Sequence, residues 1–324
     1  GHAAPEFLHE GQVLEGQAFV RDERVDKLSA LYKPKKTTHA NIQFIVCPPV
    51  TTGTGYELWL KEARLCDLLC LVVRKFSNPE VFHPLGRIDL EADRQTIKSE
   101  LILADLMLVE KRLDRIAKDK RRAANEPTLA VEEQLLQKCK VALEEEKPVS
   151  TLTFSDDEKV ILANLCLITQ KSILWCMNVD ESEASQAPTH ENEIIISAKI
   201  EKEISEITDA AERNTFMEEL GLKESGLQKL TLAAYKALGL MSFYTSGEDE
   251  VRAWTIRIGT KAPQAGGKVH SDIERGFVRV EIMNCEELLS VGSEHKLKTL
   301  GKVHVKGKDY VIQDGDICHF LFAV

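Results

Sequence analysis

The residues of this chain whose types and spacing could do chemistry are mostly clustered cations. Lys118, Lys120, Arg121 and Arg122 stand together in the Pro-containing stretch 118–127, between two segments of helical period. Such a group can meet RNA phosphates through salt-sensitive contacts, or it can be the solvated tip of a helical hairpin. A second group, Arg252, Arg257, Lys261, Lys268, His270 and Arg275, falls on or near the exposed sides and loops of the first C-terminal strands. Those six can form a basic face for RNA, although Glu248, Asp249, Glu250, Asp272 and Glu274 dilute it. The run Thr51–Gly55 has the glycines and hydroxyls of a phosphate nest but no lysine, so a surface loop is the simpler reading. No Ser/His/Asp or Cys/His arrangement stands out, and His295 and His304 have no catalytic partner in sight. The acids Asp156 and Asp157 are explained by a helix N-terminus. Eight cysteines occur without a CxxC pair, so a zinc site is not expected and reduced thiols in a cytoplasmic protein are.

Composition sets the frame for these residues. At 324 residues the chain has room for two or three domains, and 43% hydrophobic with 29% charged residues describes an ordinary globular protein. A net charge of −10 argues against a chain coated with cations, while allowing one basic face. No apolar run approaches the length of a membrane span, and no charged-then-apolar leader is present. Gly1 and His2 read as a tag scar, with the native sequence expected to begin near Ala3.

The elements that must position these residues follow from periodicity. A helix over 22–32 buries Val25, Leu28 and Leu31 and is capped by Asp22. Residues 41–46 read as a short strand, and 68–73 as an apolar strand central to a parallel sheet. Residues 89–148 read as an antiparallel helical hairpin with Leu101, Leu103, Leu106, Leu108, Val109 and Leu113 on one stripe and Leu129, Val131, Leu135, Leu136 and Leu143 on the other. Ser155 and Glu158 form a capping box. Strands at 172–177 and 193–196 complete an α/β sheet, and helices span 201–220 and 226–238. In the C-terminal part, Trp254, Ile256 and Ile258 alternate as a strand stopped by Gly259. Pro263, Gly266 and Gly267 mark a loop, 276–282 is a second strand, and 307–322 reads as strand, Asp-Gly turn, strand. Trp254 and Phe277 read as core.

With these segments in place, the chain resembles the YchF-type ATPases, an Obg-related branch of the P-loop GTPase superfamily. The likeness rests on 22–36 (Asp22, Arg24, Tyr32 and the lysines after it), on 96–112 with Glu100–Leu106 and Val109–Arg112, on Asn178–Glu181, and on 243–324 with Asp314, Gly315 and Asp316. It implies an α/β P-loop NTPase-like domain (3–88 and 149–205), incomplete, with an inserted α-helical hairpin arm (89–148). A helical connector (206–240) and a TGS domain (241–324), an α+β ubiquitin-like β-grasp fold, follow. In the resemblance Asn178, Val179 and Glu181 hold the base-reading place, with Ser197 and Ala198 as a second base-contacting loop. The Asn amide would face ring acceptors and the Glu carboxylate would accept from an exocyclic amino group. Asn-x-x-Glu is associated in the family with preferring ATP to GTP; the plainer reading is a strand-to-loop turn.

The departures concern the phosphates. No GxxxxGK[ST] run occurs: Gly267–Lys268, Gly301–Lys302 and Gly307–Lys308 are followed by Val or Asp. Where the family has Asp-x-Ala-Gly, this chain has Val46–Pro49, which lacks the metal-positioning Asp and the Gly. The family's phosphate loop belongs upstream of residue 1, and the expectation is a degenerate or N-terminally incomplete member: a translation-associated factor that binds the ribosome or structured RNA, with hydrolysis lost and no catalytic residue. One alternative is a purine-nucleotide binder or weak ATPase using Asn178 and Glu181, with ATP or GTP and, only then, Mg²⁺. A second alternative is a protein–protein regulator docking through the C-terminal module.

Overall fold

The computed structural model describes residues 13–47, 56–81, 83, 86–122 and 127–323. The chain divides into two compact units. One includes Ile45–Gly226; the other is formed by Gly16–Phe44 together with Leu227–Val324. In order, the elements are β1 (Leu14–Phe19), α1 (Glu23–Tyr32), β2 (Lys36–Thr38), β3 (Asn41–Val46), α2 (Tyr56–Leu65) and β4 (Leu68–Arg74). Then come α3 (Leu90–Arg122), α4 (Pro127–Glu144), α5 (Asp156–Ala163), β5 (Ser172–Asn178), β6 (Glu193–Ile196), α6 (Ala198–Glu206) and α7 (Ala210–Glu219). The last third holds α8 (Gly226–Ala237), β7 (Leu240–Thr245), β8 (Glu250–Arg257), α9 (Ala262–Val269), α10 (Ser271–Arg275) and β9 (Phe277–Asn284). It ends with α11 (Cys285–Val291), α12 (Glu294–Thr299), β10 (His304–Lys306) and β11 (Asp316–Phe322). Among the described residues no helix is long and apolar enough to cross a membrane.

The first unit is an α/β layer structure. Its parallel sheet runs β4-β5-β6, with Leu68 opposite Ser172 and Asn178 opposite both Arg74 and Ile196. The apolar run 68–73 is therefore an edge strand among the described residues, not the central one expected from its composition. Val72 is 62% exposed, and the centre belongs to β5, where Leu174, Trp175 and Cys176 are buried. One sheet face packs on Trp59 and Ala63 of α2 and Leu101 of α3. A second core forms where α3 and α4 meet α5, through Val109, Ile116, Leu135, Leu136, Cys139 and Leu162.

Three ion pairs set the register of the α3–α4 hairpin: Glu110 to Lys140, Arg112 to Glu132 and Lys120 to Glu133. The earliest of the three on α3, Glu110, meets Lys140 late in α4, while Arg112 and Lys120 meet Glu132 and Glu133 near its start, as antiparallel packing requires. Leu103 and Val131, expected on the buried stripes, are about half exposed. The capping box at Ser155 and Glu158 is present in both directions, at 3.2 and 2.7 Å. The helix expected over 201–220 is two helices, because Asp209 starts a new one by accepting from the Glu212 N–H.

A buried carboxylate ties this unit together. Asp105 on α3 is fully buried and accepts from the backbone N–H groups of Ile168 and Thr169 (3.1 and 2.7 Å) and from the Thr169 hydroxyl (2.8 Å). Arg64 of α2 completes the pairing at 2.9 Å. One side chain thus fixes α2, α3 and the turn leading into β5.

The second unit has a six-stranded mixed sheet, ordered β10-β9-β11-β7-β8-β2. The pairs β7–β8, β9–β11 and β9–β10 are antiparallel, whereas β11–β7 and β2–β8 are parallel. One face packs under α9 and α10 through Phe243, Ile256, Ala265, Ile273, Phe277 and Phe320. The other buries Val25 and Leu28 of α1 against Tyr244, Val251, Met283, Leu288 and Ile317. Residues 16–44, assigned from sequence to the α/β domain, thus contribute a helix and an edge strand to the C-terminal unit.

Three local readings change. Ile258 lies past the end of β8 and is 70% exposed. The expected loop with Pro263, Gly266 and Gly267 is helix α9: Pro263 sits in its first turn, and Gly266 allows the close approach of α10, since a Cβ there would stand 2.5 Å from Ile273 Cγ2. The expected hairpin over 307–322 is a long loop followed by β11, and β10 precedes it. The Asp314 and Asp316 carboxylates take backbone N–H groups of Ser242 and Gln313, so the loop is held by side chains instead of a ladder.

The α1 attachment is polar as well as apolar. Asp22 caps α1 through the Arg24 N–H (3.0 Å) and receives the Arg24 guanidinium at 3.0 Å and the Tyr244 hydroxyl. Arg24 also reaches Asp314 at 2.7 Å. Burial alone would raise the Asp22 carboxyl, but hydrogen bonds from Arg24 and Tyr244 outweigh it and hold the carboxyl below its ordinary 3.8.

Two predictions follow from these anchors. Asp105→Ala strands Arg64 and three donors, and should cost the first unit about 3–5 kcal/mol in urea unfolding. Because Asp22 titrates lower in the folded state, its contribution is complete above pH 3.8 and lost as pH falls below that value. Tyr244→Phe should lower stability by about 2 kcal/mol near neutrality and by less in acid, as read by near-UV dichroism between about pH 3 and 7.

Candidate functional site

The parallel strands β4, β5 and β6 end together, so the loops after them share one edge of the sheet, where α/β folds place ligands. Asn178 is the last residue of the central strand. Its side-chain Oδ1 accepts from the Ala198 N–H at 2.9 Å, which leaves its NH₂ group as the available donor. Its carbonyl takes the N–H groups of Lys75 and Phe76, at 2.8 and 3.1 Å. The segments expected around Asn178 and Ala198 are thus brought together.

The remaining members of that set take different positions. Val179 is buried in the core beneath the sheet and donates its N–H to Ile196 at 2.8 Å, so only its backbone could meet a ligand. Ser197 is buried at the start of α6, where its side chain makes no capping bond. Glu181 is half exposed and pairs with Lys199 at 2.5 Å, and that pairing raises the lysine's pKa. In exposed pairs of this kind the coupling is weak, so an exocyclic amino group could displace Lys199.

Composition had not singled out the loop after β4. Lys75 pairs with Glu183 at 2.7 Å, and the Ser77 N–H donates to Asp180 at 3.1 Å, binding this loop to 180–183. Arg74 lies 4.4 Å over the Phe76 ring and donates to the carbonyls of Asn78 and Val81. Phe76 is a half-buried aromatic beside the Asn178 carbonyl. The signal for it was available in the cation and ring that follow an apolar strand.

Asn178 and Glu181 offer a donor and an acceptor at the carboxyl edge of the sheet. Among the described residues no group of His, Cys, Asp or Glu could hold a metal ion, and the sequence offers no phosphate loop. Thr51–Gly55 and Pro48–Pro49 lie outside the described residues. All eight cysteines are free thiols; burial pushes Cys139 and Cys285 up to about 11, away from thiolate chemistry.

The basic clusters resolve unevenly. Lys118 is exposed and Lys120 is held by Glu133 at 2.5 Å; α3 runs on to Arg121 and Arg122, whose side chains lie outside the described residues. Lys111, Arg115 and Lys118 follow helical spacing on the exposed side of α3 and form no ion pair among the described residues. That stripe was missed because attention fell on the tip, although the spacing of four and three was legible.

In the C-terminal unit, Arg252 stacks on Trp254 at 4.0 Å, Lys261 pairs with Asp309 at 2.8 Å and Arg275 pairs with Asp272. Lys268 is exposed, and Arg257 lies on the opposite sheet face from Arg252 by strand alternation. These cations therefore do not form one face. Trp254 packs against the core with its Nε1–H on the Thr245 hydroxyl (2.9 Å), and Phe277 is buried, as their strand pattern implied.

Comparison with known proteins agrees with this arrangement. The family model YchF-GTPase_C, described as a protein of unknown function, matches residues 240–323. The "Ribosome-binding ATPase YchF" of Bacillus subtilis is 40% identical, over 94% of this chain and 88% of the relative. The "Obg-like ATPase 1" of Caenorhabditis elegans is 34% identical, over 95% of this chain and 82% of its own. The solved structure of the Schizosaccharomyces pombe YchF GTPase superposes with a TM-score of 0.83 at 32% identity, covering 95% of this chain and 87% of that one. A relative this similar over nearly the whole length leaves one conclusion: the chain belongs to the YchF family.

Proposed function

We propose that this chain is a translation-associated factor that binds the ribosome through RNA phosphates and does not hydrolyse nucleotide. The observation that carries the reading is the exposed stripe Lys111, Arg115 and Lys118 on the long helix α3, in a chain whose relatives are named for ribosome binding. A helix of 33 residues extends about 50 Å and can lay such a stripe along an RNA backbone. The net charge of −10 confines the attraction to such local surfaces.

The same reading takes the first unit as an incomplete P-loop NTPase-like domain and the second as a TGS-type β-grasp module. The open edge of β4 supports the former, and the mixed sheet crossed by α9 supports the latter. Loss of hydrolysis is inferred from the internal change at Val46–Pro49, which lacks the metal-positioning Asp and the Gly of the family. A second reading, adenine-nucleotide binding without turnover, is favoured by the Asn178–Ala198 bond, which presents the amide as a base reader would need it. When bound, the nucleotide would supply a base edge; Asn178 would donate to it and Glu181 would accept from it.

Co-sedimentation with ribosomes over a salt series tests the first reading. The parent should bind at low salt, with affinity falling log-linearly as salt rises. Replacing Lys111, Arg115 and Lys118 by Glu should weaken binding at least about tenfold and flatten the slope by about two to three. Unchanged binding by the triple variant would remove α3 from the interface.

A further inference from the structure

At the edge of the second unit's sheet, β10 and the loop after it enclose a cavity of about 320 Å³. Lys302, His304, Lys306, Glu287, Tyr310 and Asp316 line it. Alternation along β10 turns His304 and Lys306 to the same side, and Lys302, just before the strand, lines the cavity with them. Lys302 is held by Glu287 at 2.7 Å, while the Lys306 ammonium stands 5.6 Å over the Tyr310 ring. His304 and Lys306 are exposed and form no ion pair among the described residues. Opposite them sits Asp316, only 4% exposed. Its Oδ2 takes both available bonds, from the Tyr310 hydroxyl at 2.8 Å and the Gln313 N–H at 2.9 Å. Oδ1 receives no hydrogen bond among the described residues. Burial raises the pKa of this carboxyl, so its neighbourhood leaves it short of donors.

These groups specify a ligand with two unlike ends. An apolar ligand would leave Asp316 Oδ1 without a donor, and a simple anion would face two carboxylates. A molecule with a negative group for Lys306 and His304 and hydroxyl donors for Asp316 satisfies both sides. A ribose phosphate has that pattern: carboxylates commonly take ribose hydroxyls, and lysine serves as a point charge for phosphate. The volume lies at the small end of ligand sites, suited to one nucleotide. We propose that this cavity binds the phosphorylated ribose of a ribonucleotide, with phosphate on Lys306 and His304 and a ribose hydroxyl on Asp316 Oδ1. The source is a free mononucleotide or the terminal residue of an RNA strand. The site belongs to the second unit alone, and the proposal does not rest on ribosome binding.

Calorimetry on the full chain carrying Asn178→Ala, which removes the amide of the other candidate site, tests the proposal. The probes are adenosine and cytidine monophosphates, their 2′-deoxy forms, ribose 5-phosphate and a short single-stranded RNA. Ribonucleotides should bind at one site, with the deoxy forms at least about fivefold weaker. Lys306→Glu, at an exposed position, should weaken binding about tenfold or more while leaving the far-UV dichroism unchanged. Asp316→Asn should bring ribo and deoxy forms within about twofold of each other. RNA binding tighter than the mononucleotides assigns the source to an RNA end, and the reverse assigns it to free nucleotide. The proposal is overturned if no probe binds, if ribo and deoxy forms bind the parent equally, or if Lys306→Glu binds like the parent.

Discussion

The second unit depends on one half-buried carboxylate. Asp22 begins α1, receives Arg24 and the Tyr244 hydroxyl, and through Arg24 is joined to Asp314 in the loop before the last strand. These partners lie 222 and 290 positions apart in sequence from the residues that hold them. With Val25 and Leu28 buried beneath, they fix a segment from the start of the chain on a sheet made at its end. The boundaries at 15/16, 44/45 and 226/227 show that the chain passes between its two units three times. A unit assembled from such distant segments gains its stability only when both are in place, because loop closure is costly before those contacts form.

That arrangement also marks where sequence reading fails. Periodicity located α1 and its cap, since both are local properties, but the identity of the sheet it would cover is not. The apolar run of β4 reads as a central strand because composition reports burial in general and not the pairing of each edge. Gly266 and Pro263 read as loop punctuation, yet the glycine serves a helix-to-helix approach and the proline a first helical turn. The Asp-Gly-Asp run was expected to turn a hairpin; its carboxylates instead hold a loop through Ser242 and Gln313. By contrast, the Ser155–Glu158 box, the strands at 172 and 193 and the inward Phe277 were legible, because each needs only its neighbours.

The candidate site was legible to the same extent. Asn178 and Ala198 lie 20 residues apart and are joined by one hydrogen bond at the carboxyl edge of the sheet. The positions could be named from the resemblance, but the engagement of Glu181 by Lys199 and the burial of Val179 depend on packing. The same holds for the C-terminal cations: counted in sequence they suggest a basic face, whereas in the fold four of the six, Arg252, Lys261, His270 and Arg275, stand within ion-pair distance of acids. On α3 the outcome is reversed, and an exposed stripe emerges from residues that looked ordinary one by one.

The proposed function joins membership of the YchF family to the altered run Val46–Pro49 in one claim: base binding without turnover. Its most direct test is paired calorimetry of adenosine and of ATP with Mg²⁺, with released phosphate measured in the same samples. The account predicts affinities within about threefold of each other and no phosphate above the protein-free blank. Binding of ATP about a hundredfold tighter than adenosine, or phosphate released in proportion to protein, would contradict it.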